Sequence, residues 1–102
     1  MVNIDRIKKD CFWEYSFTHD EIIRVAGQIG SREQVFLFEK ILLNSSELLQ
    51  DMEVFSKENL TLLLENYTPP LFNHDYCFRR KNACEVHFFK KELLIDELKW
   101  PA

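Results

Sequence analysis

Glycine is almost missing from this chain: it occurs twice in 102 residues, as Gly27 and Gly30 in a single break. A glycine-rich loop that could wrap a phosphate in backbone amides is thereby excluded. Long apolar runs are missing too, since none approaches the roughly 20 residues that cross a bilayer. The opening MVNIDRIKKDCFW lacks an apolar stretch followed by a small-residue cleavage site. Neither a membrane span nor a secretion signal is therefore expected, and a cytosolic location is. Cysteine appears three times, an odd count, which in a reducing compartment favours free thiols over a structural bridge. Basic residues are scarce outside one region. Residues 14–70 hold four Lys/Arg against ten Asp/Glu, whereas residues 71–91 hold five against two, within an overall charge of −4. That balance argues against general phosphate binding, which depends on neutralising many phosphates.

What the chain does have is apolar mass. It is 46% hydrophobic and 14% aromatic, and a chain of this length buries enough surface to fold without metal or disulfide help. One domain over residues 1–102 is expected, with residues 11–67 mainly helical and residues 71–98 mainly β.

Along the chain, Ile4, Ile7 and Cys11 have helical spacing, so residues 3–10 are expected to form a short helix. Cys11, Trp13, Tyr15 and Phe17 then alternate with polar positions, the pattern of an extended segment over 11–18. Thr18 with Glu21 makes a capping box, predicting a helix whose inner face carries Ile22, Ala26 and Ile29 and which stops at GQIGS, where Gly30 can turn left-handed. Ser31 with Gln34 suggests a second capping box. The following stretch, SREQVFLFEKILLNSS, is apolar around most of its circumference and calls for burial on most sides, inside its own domain or against a partner. Helical spacing continues through Leu48, Leu49, Met52 and Phe55. In SKENLTLLLENY, capped by Ser56, it places Leu60, Leu63, Leu64 and Tyr67 on one stripe. Thr68-Pro69-Pro70 ends that helix. Beyond it, residues 74–80, 83–89 and 92–96 read as strands with polar turns at Lys81-Asn82 and Lys90-Lys91, the last of them as a strand or a short helix. The expected fold class is α+β: an N-terminal extended segment and about four helices, followed by a C-terminal antiparallel β-hairpin or three-stranded meander.

The segment FNHDYCFRRKNACEVHFFKK holds two histidines and two cysteines in a near-symmetric order, His74-x2-Cys77 and Cys84-x2-His87. Tetrahedral zinc needs four donors within about 2.3 Å of one point. On a hairpin, residues three apart lie on opposite faces and about 10 Å apart along the strand, so the four cannot meet. No metal is assigned, and Cys77 and Cys84 are expected to be small buried hydrophobes. The same pleat separates His87 from Cys84, leaving no thiol with a base beside it. The many carboxylates lack an apolar setting that would tune one for acid-base work. No catalytic residue and no cofactor is assigned.

Two kinds of partner surface remain. The apolar third helix and the extended segment offer Phe36, Leu37, Trp13 and Tyr15 as protein-binding anchors, aromatic types enriched at the energetic centres of interfaces. The basic run Arg79, Arg80 and Lys81, joined by Lys90 and Lys91, offers the alternative, a nucleic-acid-binding hairpin in a winged-helix-like layout. The helix before that wing carries one lysine and two glutamates, a poor surface for a major groove. The expectation is a small cytosolic interaction or regulatory module, without catalysis of its own. Its partner would be a protein, either a second copy or a different chain, as for an antitoxin or inhibitor of similar size and charge.

Overall fold

Local side-chain bonds set most of the helix starts. The computed structural model describes residues 3–12 and 17–90. Asn3 accepts from the Arg6 amide at 3.0 Å and opens α1, Ile4–Cys11. Thr18 and Glu21 satisfy each other's backbone amides, both at 3.1 Å, and open α2, His19–Ala26. Ser31 accepts from the Gln34 amide at 3.0 Å and opens α3, Arg32–Asn44. The reciprocal half of that second box is replaced. Gln34 reaches one residue further back, accepting from Gly30 N at 3.3 Å and donating to the Ala26 carbonyl at 2.9 Å. One side chain thus ties the end of α2 to the start of α3. A short α4, Leu48–Asp51, runs into a 3-10 turn at Met52–Val54. Ser56 caps α5, Lys57–Asn66, through the Asn59 amide at 3.2 Å. The last described helix is α6, His74–Phe89.

The α+β expectation is overturned by α6. Residues 74–89 form one continuous 16-residue helix where a hairpin was read, and the described residues contain no strand. Lys81-Asn82, expected to turn, lies in mid-helix. The segment misleads because its inward stripe, Cys77, Arg80, Cys84 and Phe88, has a guanidinium in the middle. A second buried position, Asn82, is polar as well. With both inward directions carrying polar groups, the 3.6-residue period is muted and the aromatic and valine content suggests a strand instead. The extended segment over 11–18 is corrected at its start, because Cys11 closes α1. Trp13 and Tyr15 lie outside the described residues, as do Lys91 and the third expected strand at 92–96.

The core forms around α3, which packs against α1, α2, α4 and α6. Phe38, Ile41 and Leu42 are enclosed together with Ile7, Ile22, Met52 and Leu64. Each such side chain contributes on the order of 1.5–3 kcal/mol relative to exposure. The Phe38 ring meets Phe55 at 6.2 Å and the edge of Tyr67 at 5.6 Å. One carboxylate is buried with this core. Asp51 accepts from Arg6 Nη2 at 2.5 Å and from the Ser45 hydroxyl at 2.5 Å, so α1, the end of α3 and α4 meet on a paired charge rather than an orphaned one.

Candidate functional site: an apolar groove between α3 and α5

Two irregularities in the helices produce a receptive apolar surface among the described residues. Gly27 ends α2 at Ala26, earlier than the apolar spacing implied. Ile29 then falls in the turn before Gly30, which adopts φ +76°, and is left 69% exposed. On α5, Leu62 lies off the Leu60, Leu63, Leu64 stripe and is 47% exposed. Ile29, Val35 and Leu62 become the walls of one groove, with buried Gln34, Phe38 and Leu63 behind them. Its volume is about 270 Å³. Metabolite and drug sites run from roughly 300 to 1,000 Å³, so this hollow suits one or two inserted side chains better than a small-molecule substrate.

The groove's chemistry is apolar with an acidic edge. The Gln34 amide is committed to Ala26 and Gly30. Tyr67 at the rim has its phenol pushed above the ordinary value by burial and by its hydrogen bond with Cys77, so it stays neutral and supplies neither base nor nucleophile. Glu39 lines the rim. Glu58 and Glu65, both exposed, flank Leu62 at i−4 and i+3 on the same helix face.

The expected anchors are divided by burial. Leu37 is 2% exposed and belongs to the core, whereas Phe36 is 39% exposed. Phe36 packs on Phe12 at 5.8 Å, with the Lys40 ammonium 5.6 Å from its ring. The hollow beside it, between Phe12, Phe17 and Val25, is smaller, at about 70 Å³. Trp13 and Tyr15 are outside the described residues.

The basic set does not converge. Arg79, Arg80 and Lys81 are consecutive on a helix, so their side chains fan out by about 100° per residue. Arg80 turns inward: its Nε donates to the Leu42 carbonyl and its Nη2 donates to the Ser45 carbonyl at 2.6 Å. Tyr76 donates to the Leu43 carbonyl at 2.9 Å, and the Arg80 guanidinium lies 5.2 Å from its ring. Together they satisfy carbonyls at the C-terminal end of α3, where a cation also complements the helix dipole. Arg79 lies at a shallow depression beside α4 with Glu47 and Gln50. Lys90 closes α6 at φ 53°, and Lys91 falls beyond the described residues.

The histidines and cysteines of α6 are kept apart for a reason other than a pleat. At about 1.5 Å of rise per residue, His74 and His87 are separated by roughly 20 Å along the helix. No three potential metal ligands gather among the described residues. Burial pushes the Cys11 and Cys84 thiols up to about 12, so neither is an ionised nucleophile at neutral pH. His19 and Asp5 pair at 2.6 Å on the surface, both well exposed, which joins α1 to α2 without forming a pocket. No helix among the described residues is long and apolar enough to cross a membrane.

The sequence held two signals for the groove: the glycine break that stops α2 short of Ile29, and a leucine outside the α5 stripe. Neither means much until α3 and α5 are side by side. No protein-family model, curated protein or solved structure matches the chain.

Proposed function

We propose that the protein is a small interaction module that receives apolar side chains of a protein partner in the groove between α3 and α5. The observation behind this is the convergence of three exposed aliphatic residues from three elements, Ile29, Val35 and Leu62, on one hollow. Apolar residues scattered singly on a surface need no explanation, but a contiguous patch around a hollow does. Its volume favours a knob from another chain, and Glu39 on its rim, with Glu58 and Glu65 exposed on the helix that carries Leu62, favours a partner segment that is neutral or basic there. A regulatory role follows if the covered segment is needed elsewhere, as with an inhibitor masking its target. Three free, buried cysteines suit a reducing compartment, and the cytosol is where we place this work.

Nucleic-acid binding is the weaker alternative, because Arg80 is occupied at the end of α3 and its neighbours point apart. A salt titration with random duplex tests it, since phosphate contacts make affinity fall steeply with salt.

For the groove, a displayed library of 12-residue peptides is selected on the purified protein. Enriched sequences should pair apolar anchors with neutral or basic flanks and should shift the methyl resonances of Ile29, Val35 and Leu62. Leu62→Glu should abolish their binding while lowering stability by about 1 kcal/mol at most, since the site is half-exposed and the new carboxylate gains like-charged neighbours in Glu58 and Glu65. Peptides that bind that variant unchanged, or none enriched at all, would remove the groove from consideration.

A further inference from the structure

The α5–α6 loop presents the most exposed apolar side chains of the described residues. Leu71 is 97% exposed and Phe72 82% exposed, immediately after Pro69 and Pro70. The prolines restrict the backbone at the loop's start. Asn73, at φ 62°, fixes its end in a left-handed conformation that asparagine tolerates better than most residues. A stiff loop carrying two greasy side chains into water lowers the ordering cost of inserting them into something. The groove begins three residues upstream, since Thr68 lines it. With Leu71 and Phe72 so exposed, each chain carries a knob and a hollow side by side without filling one with the other.

We propose that Leu71 and Phe72 insert into the α3–α5 groove of a second copy of this chain, and that the exchange is reciprocal across a two-fold axis. This rests on the groove's being a receptor for apolar side chains and names its occupant. A two-fold interface requires a self-complementary patch, which adjacent knob and hollow supply. Charge allows it: residues 68–73, TPPLFN, carry no charge to meet the acidic edge. Size sets the strength. A phenylalanine buries on the order of 150–250 Å². Two exchanged loops and the walls they cover therefore come to roughly 1,000 Å², at the low end of specific interfaces. The dimer is accordingly weak, with dissociation in the micromolar range, and is in exchange with monomer.

Sedimentation equilibrium of the whole chain over about 1 μM to 1 mM reads this directly. Wild type should pass from monomer to dimer. The loop variant Leu71→Ser/Phe72→Ser and the groove variant Leu62→Glu should each stay monomeric and still unfold cooperatively, within a few degrees of wild type measured dilute enough to be monomeric. The decisive arm mixes the two variants. An intact loop from one then meets an intact groove on the other, so a mixed dimer should form where neither variant dimerises alone, at least tenfold weaker than wild type. Overturning results are a wild type that stays monomeric to 1 mM, a loop variant that still dimerises, or a mixture that does not associate. Library peptides that bind a monomeric wild type would leave the groove a receptor for another chain and remove only the exchange. Loss of both peptide binding and dimerisation would remove the groove itself.

Discussion

At the scale of single residues, polar side chains set where helices meet. Arg80 takes the end of α3 through two carbonyls, an arrangement that a planar fork makes and a point-charge ammonium does not. Arg80→Ala should lower stability by about 2 kcal/mol, the range for hydrogen bonds to charged groups. Arg80→Lys should restore less than half of that, as read by urea denaturation. Asp10 accepts from the Ser46 amide at 3.0 Å and its hydroxyl at 2.5 Å. These bonds from Ser46 hold the carboxyl below its ordinary value. A carboxylate whose folded pKa is depressed adds stability that is complete above its unfolded value, near 3.9, and that is lost as pH falls through the folded value. Asp10→Asn should therefore flatten the stability curve below about pH 4. Because the pair is surface-accessible, the effect should be under about 1 kcal/mol. Equal slopes for the two proteins would show that Ser46 does not favour the ionised form.

At the scale of elements, α3 and α6 illustrate opposite outcomes. The α3 helix looked apolar nearly all round, and its neighbours divide that surface. Leu37, Phe38, Ile41 and Leu42 are buried, whereas Val35, Phe36 and Leu43 keep about two-fifths of their exposure, at 41%, 39% and 40%. Leu37→Ala should cost about 2–5 kcal/mol by leaving a cavity, and Phe36→Ala about 1 kcal/mol, since its ring is only partly covered. Equal losses in thermal melts would mean that the two faces are not distinguished as described. The helices α2, α3 and α5 were legible because Thr18, Ser31 and Ser56 announce their starts in the residues themselves. No such signal opens α6, where Asn73 makes no side-chain cap bond. Apart from Phe88, its inward residues are thiols, an arginine and an asparagine, which periodicity counts as polar or neutral.

At the scale of the whole molecule, thiols at both ends of the described chain report on one core. Cys11 closes α1, while Cys77 and Cys84 belong to α6, and all three are buried. If the helices unfold as a unit, native-state labelling by a thiol reagent should give the same opening free energy for all three, with the same dependence on urea. Earlier labelling of Cys77 would instead reveal a separately opening start of α6. The sequence by itself determined the starts of α2, α3 and α5, the break at Gly27 to Gly30, the stop at the double proline and the apolar excess of α3, because each depends on residues within a few positions of one another. It did not determine that residues 74–89 are helical, because the partners of Arg80 are the carbonyls of Leu42 in α3 and of its cap Ser45, 38 and 35 positions away. Nor did it place Ile29, Val35 and Leu62 around one hollow. Only packing α5 beside α3 does that, since a groove is a property of two surfaces at a distance and no local pattern encodes it.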